Sequence, residues 1–171
     1  QPADATDAAD HLLAGLGHGL PEGRLIAAPR EHLLGVVGLA MVHGEQPAGL
    51  LVEGEPGIGK TTLWTSVVDR ASRSGFLVMT AQTGQAESVL ANAAIADLFS
   101  AVEPGVLAAL PDVQRLAADR VLLRDDTAGR PTDERVTAAA LLTAVHVMSA
   151  RAPVLIAIDD VQWLDLSSRA V

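Results

Sequence analysis

The sequence has no cysteine, only four aromatic residues and a single lysine. Without cysteine it can build neither a disulfide scaffold nor a zinc site that needs thiolates, and a reducing, cytoplasmic setting is expected. With Trp64, Phe76, Phe99 and Trp163 as its only rings, it offers no platform on which single-stranded nucleic acid could stack. Positive charge is scarce as well. Twelve basic against twenty-one acidic residues leave a net charge of −9, which repels a phosphate backbone, so direct nucleic-acid binding by this segment is not expected. Long apolar runs are also missing. The longest stretch without a formal charge, Val136 to Ala150, has 15 residues, short of the ~18 at which a membrane span becomes plausible. The first twenty residues carry Asp4, Asp7 and Asp10 and no Lys or Arg, unlike a secretory signal.

What is present is a chain of 171 residues, 49% of them apolar, enough for one domain with a sizeable core. With so few rings, that core must be made mostly of Leu, Val, Ile and Ala. Residues 1–24, rich in Ala, Gly and Asp, read as a flexible N-terminal flank, and residues 25–171 as the domain. The sequence starts at Gln1, not Met, and Val171 follows the start of a helix. The expectation is a piece of a longer protein, with the domain incomplete at its C-terminal end.

Apolar spacing predicts a first helix over Arg30–His43 (Leu33, Val37, Ala40, Met41), with Pro29 at its start. A buried strand is predicted at Leu50–Val52 and another at Phe76–Thr80, separated by a helix over Thr61–Ser74 that Gly75 stops. Further helices are expected over Ala86–Val102 (Val89, Leu90, Ala93, Ala94, Leu98) and Asp112–Leu123. A charged loop follows at Arg124–Pro131. A last long helix, capped by Thr132, carries the stripe Ala138, Leu141, Leu142, Val145 and Met148 and ends at Pro153. Val154–Ile158 is a continuous aliphatic run, the pattern of a strand covered on both faces. This alternation predicts an α/β fold with three layers and a parallel sheet.

Gly54-Glu55-Pro56-Gly57-Ile58-Gly59-Lys60-Thr61 matches the phosphate-loop pattern GxxxxGK[ST] at every fixed position, between a predicted strand and a predicted helix. Chance would produce it in roughly one shuffled chain in a thousand. Lys60 is the only lysine; the other eleven basic residues are arginines. The chemistry calls for these residue types. Glycines let backbone N–H groups close around an anion, and the helix that follows adds its free N–H groups and the positive end of its dipole. Lys60 supplies a compact charge for the β and γ phosphates, Thr61 offers a hydroxyl to Mg²⁺, and Thr62 completes the loop.

Asp159 and Asp160 end the Val154–Ile158 run. Ligands bind beyond the carboxyl ends of parallel strands, so both acids are expected to face the loop. Adjacent strand residues point to opposite sides. Different tasks follow: Asp159 for the magnesium shell, Asp160 for orienting or deprotonating the attacking water. Trp163 reads as a half-buried packing residue, and the five histidines show no metal spacing.

Gly54–Leu63 together with Asp159-Asp160-Val161-Gln162-Trp163-Leu164-Asp165-Leu166-Ser167-Ser168 resembles the ATPase domain of large LuxR-type transcriptional regulators. These belong to the STAND branch of AAA-related P-loop NTPases, and the likeness spans about Ile26 to Val171. The resemblance implies ATP or ADP at the loop, Mg²⁺ on Thr61 and Asp159, a water-orienting acid at Asp160, and a nucleotide-dependent switch coupled to other domains, often a DNA-binding helix-turn-helix. Two departures are visible. Of the family's Gly-Arg-Glu box, Pro29-Arg30-Glu31 keeps only Arg30 and Glu31. The sequence also ends before the next strand, which in this family carries a polar sensor residue and lies between the phosphate-loop strand and the acidic strand. Unpaired sheet edges beside the loop, slow hydrolysis and self-association are the corresponding expectations. A small-molecule phosphotransferase with Arg124–Arg130 as a lid and a non-catalytic nucleotide-binding module are the alternatives, although tandem aspartates suit water better than an acceptor hydroxyl.

Overall fold

The computed structural model describes residues 36–43, 46–86, 88–124 and 133–171. The flank at 1–24, Arg30 and Glu31, Thr132 and nearly all of the 124–131 loop lie outside the described residues. Along the chain run β1 (Val36–His43), β2 (Gln46–Glu53), α1 (Lys60–Arg73), β3 (Leu77–Gln82), α2 (Ala93–Ser100), α3 (Pro104–Ala108), α4 (Asp112–Val121), α5 (Glu134–Ser149) and β4 (Val154–Asp159). A 3-10 turn (Val161–Trp163) and α6 (Leu166–Ala170) follow.

The strands form one sheet in the order β2-β1-β4-β3. Strand β4 is its most deeply packed member because its side chains alternate between two apolar layers. Leu155 and Ala157 meet Trp64, Val67 and Ala71 of α1, together with Leu39 of β1. Val154 faces the opposite layer, where Met79 and Ala81 of β3 pack with Leu98 and Phe99 of α2, Ala118 of α4 and Ala140 and Ala144 of α5. Small alanines at the helix contacts let the helices sit close to the sheet, which is how a core nearly free of rings is filled. Each fully buried Leu, Val or Phe in these layers contributes about 1.5–3 kcal/mol relative to exposure. The three-layer α/β expectation holds.

The sheet, however, is mixed. Among the described residues only β3 and β4 pair in parallel, with Leu77 opposite Val154 and Gln82 opposite Asp159. The segment predicted as the end of a first helix is strand β1, antiparallel to both β2 and β4. Its apolar run, Val-Val-Gly-Leu-Ala-Met-Val, satisfies a helical and an extended pattern alike. Two ladders of hydrogen bonds and its β-branched valines decide for the strand. Gly38 fits because a Cβ there would come within 3.2 Å of Val161 Cγ2. Strand β1 occupies the position between β2 and β4, and β2, which leads into the phosphate loop, is the end strand of the sheet among the described residues, with one edge unpaired beside the loop. The orientation needed for a site survives. Two antiparallel steps leave β2 running the same way as β4, and Glu53 and Asp159 end at the same edge of the sheet as Gln82.

Two helices also differ from expectation. Helix α2 starts only at Ala93: Asn92 takes a left-handed conformation (φ 62°), and Val89 and Leu90, counted in the helical repeat from sequence, lie before the helix and are exposed. The short α3, with Pro104 in its first turn, was not anticipated. In α5 the cap is Asp133, whose side chain accepts the Arg135 N–H at 2.9 Å, and Leu142 faces solvent.

Candidate functional site

Strand β2 delivers Gly54 at the carboxyl edge of the sheet, and the loop turns into α1 within six residues. Gly57 (φ 80°) and Gly59 (φ 101°) hold conformations that side-chain-bearing residues rarely adopt. Gly54 is needed for space, since a Cβ would lie 3.2 Å from Ile58 Cγ2. Gly59 is the N-cap of α1 and offers no side-chain cap, and the first turn carries no acid. Helices α2, α3 and α4 also lack a side-chain cap, whereas α5 and α6 are capped by Asp133 and Asp165; α1 alone among these helices opens from a left-handed glycine turn onto a cavity. The first N–H groups of α1 and the positive end of its dipole are thus left for an external anion. Lys60 Nζ lies over this turn and donates to the carbonyls of Gly54 (2.8 Å) and Glu55 (2.7 Å).

Pro56, Gly57, Gly59, Lys60, Thr61 and Thr62 line a cavity of about 380 Å³, and Asp160 completes its wall from across the sheet edge. Gly54, Glu55 and Ile58 form the outer turn of the loop and do not line it. Asp159 lies deeper, only 7% exposed, on the same face of β4 as Leu155 and Ala157, near enough to the Thr61 hydroxyl for that group to act on its carboxyl. Both acids therefore meet the loop as expected, one behind Thr61 and one on the cavity wall. Trp163 is half-buried in the 3-10 turn.

Burial raises the Asp159 carboxyl above its ordinary value; the Thr61 hydroxyl opposes this, neighbouring Asp160 adds to it, and the Asp160 N–H and the Lys60 charge act against it. A carboxyl raised on folding contributes stability at low pH that is lost as pH rises through its folded value. Ionised Asp159 therefore weakens the fold near neutrality. Asp159→Asn is expected to raise Tm at pH 7 in chelator-treated, nucleotide-free protein, each kcal/mol gained being worth about 2–4 °C. The gain should vanish below about pH 4, where the wild-type acid is protonated in both states. Thermal melts at pH 3.5 and pH 7 check this, and an unchanged or lower Tm at pH 7 would contradict it.

Three groups around the acids were not singled out from sequence. The Thr83 hydroxyl, at the end of β3, is shared between the carbonyls of Asp159 (3.0 Å) and Asp160 (2.6 Å). Gln162 Nε2 donates to Asp160 Oδ1 at 2.9 Å. Asp165 accepts the N–H groups of Asn92 and Ser168, each at 2.9 Å, and joins α2 to α6. Thr83 could have been noticed as a polar residue closing a parallel strand. Gln162 stands two residues beyond Asp160 in the acidic string.

Among curated proteins and solved structures none matches this chain. Residues 29–171 match the family described as AAA ATPase domain, from before β1 to the end of α6. That span contains both the phosphate loop and the acidic strand end. The chain belongs to the AAA ATPase domain family and is a nucleotide-binding ATPase module of the P-loop type.

Proposed function

We propose that the chain binds Mg²⁺-ATP and Mg²⁺-ADP in the cavity between Gly54–Thr62 and Asp160, as the nucleotide-dependent switch of a signalling or transcriptional regulator of the LuxR-type STAND kind. The observation that carries this reading is the uncapped start of α1, wrapped by a left-handed glycine turn and facing Asp160 across the cavity. The residues fit the ligand. Backbone N–H groups of the loop and of the first turn of α1 take the phosphates, and Lys60 exchanges two carbonyl partners for phosphate oxygens. Thr61 and Asp159, which lie close together behind the loop, are the oxygen donors for Mg²⁺. Among the described residues no group of three or more His, Cys, Asp and Glu is arranged to hold a metal, and Mg²⁺ needs none, since one or two carboxylates plus phosphates and waters suffice. When bound, the ion neutralises charge on the transferring phosphoryl group. Asp160 orients the attacking water or accepts its proton.

Hydrolysis is expected to be slow, because a second cation at the γ-phosphate besides Lys60, a transition-state arginine worth ~10³–10⁵ in rate, has no counterpart among the proposed site residues. Any DNA binding is assigned to other parts of a longer protein, given the charge of −9 here. The cysteine-free composition supports a reducing, cytoplasmic setting; among the described residues no helix is long and apolar enough to cross a membrane. Calorimetric titration tests the reading. Saturable one-site binding of both nucleotides, weakened by EDTA, is expected, and the absence of saturable binding would overturn it.

A further inference from the structure

We infer that Gln162 is a positioning residue for Asp160, holding one carboxylate oxygen so that the other is presented to the cavity. The inference rests on the nucleotide-site reading above. Asp160 is one of three non-glycine described residues with positive φ (55°), a conformation that costs about 1–2 kcal/mol and persists only where neighbours enforce it. Here the enforcement is visible on every side of the backbone. Its carbonyl accepts from the Thr83 hydroxyl at 2.6 Å and from the Trp163 N–H at 2.8 Å, and its N–H donates to Asp159 Oδ1 at 3.0 Å.

These bonds fix where the side chain of Asp160 starts and leave its own torsions free. Gln162 removes that freedom. Its Nε2 donates to Oδ1 at 2.9 Å, whereas Oδ2 has no hydrogen bond among the described residues, and Asp160 lines the cavity. The amide orientation is settled by chemistry, because an ionised carboxylate only accepts. The Gln162 backbone carbonyl is held in turn by the Arg169 guanidinium of α6 at 2.7 Å. The backbone that carries the donor is thus anchored from a second element. A carboxylate that must meet a water and a γ-phosphate together gains from a locked rotamer, since misplacement by about 1 Å can cost about a hundredfold in rate.

Gln162→Met removes the donor at nearly constant shape, and Gln162→His returns a donor. Single-turnover hydrolysis of radiolabelled ATP, calorimetric Mg²⁺-ATP binding and a crystal structure of Gln162→Met form the test. The expected result is Mg²⁺-ATP affinity within about threefold of wild type for both variants, with a rate about tenfold lower or less for Gln162→Met and partial recovery in Gln162→His. In the crystal the Asp160 carboxylate should leave its position while the Thr83 bond to its carbonyl persists. A rate within about twofold of wild type, or an unmoved Asp160 carboxylate, would overturn the assignment. Failure of the wild-type chain to bind nucleotide would instead sink the functional reading, and the Asp160 position in the variant would still decide whether Gln162 holds it.

Discussion

Lys60→Ala will lower the affinity for Mg²⁺-ATP by about a hundredfold or more while leaving the fold intact. The size follows from what the ammonium is proposed to contribute. One or two charge-assisted hydrogen bonds to phosphate oxygens, at about 1.5–3 kcal/mol each, come to roughly 3 kcal/mol, and each 1.4 kcal/mol is tenfold in affinity. The fold is spared because the present partners of Lys60 are the carbonyls of Gly54 and Glu55, at a turn whose outer residues are exposed, so water replaces the lost donor. Circular dichroism and a Tm within about 2 °C of wild type should confirm that. Lys60→Arg separates charge from shape. Arginine keeps the charge but presents a planar fork in place of a compact ammonium, so it should recover only part of the affinity. Calorimetry showing wild-type affinity in Lys60→Ala would remove the loop from the nucleotide site.

The phosphate loop was legible because each of its fixed positions answers to a local demand. Gly57 and Gly59 supply positive φ, Gly54 supplies space, and Lys60 is the only lysine in the chain. Strand β4 was legible for a similar reason. A strand covered on both faces has to be apolar along its length, and Asp160, just past its end, marks where it emerges. Segment 36–43 was misread because an uninterrupted apolar run carries no period, and its strand state is settled by partners at 46–53 and 154–158. Distance in sequence also hid the supports of the acids. Thr83 lies 76 residues from the Asp159 carbonyl it bonds, and Asn92 lies 73 from Asp165. No window short enough to show periodicity contains either pair. The orientation of the sheet was recovered despite the wrong pairing, because two antiparallel steps and one parallel relation bring β2 and β4 to the same edge.

Asp165→Ala is expected to cost about 3 kcal/mol of stability at pH 7, roughly 6–12 °C in Tm. Asp165 is 4% exposed, and its carboxylate accepts the Asn92 N–H, the Ser168 N–H and the Ser168 hydroxyl. Truncation removes the cap of α6, worth about 1 kcal/mol, and leaves these donors short of a partner in a buried setting at about 1–3 kcal/mol each, part of which relaxation recovers. Burial on its own would raise this carboxyl. The bonds from the Ser168 hydroxyl and N–H, and from the Asn92 and Ala94 N–H groups, together outweigh burial and leave it below its ordinary value. A carboxyl lowered on folding contributes stability that is present above its unfolded value of about 3.9 and is lost as pH falls through the lower folded one. The penalty of Asp165→Ala should therefore be full at pH 6–8 and shrink below about pH 4. The sign is opposite to that of Asp159, six residues earlier, so the pair can be told apart by pH alone. Denaturant melts across that range provide the measurement, and a penalty under about 1 kcal/mol at pH 7 would show that Asp165 is not the clasp between α2 and α6. If it is, loosening it should also reach the cavity. Arg169 sits on α6 and holds the Gln162 backbone carbonyl, so Asp165→Ala should slow single-turnover hydrolysis more than it weakens Mg²⁺-ATP binding.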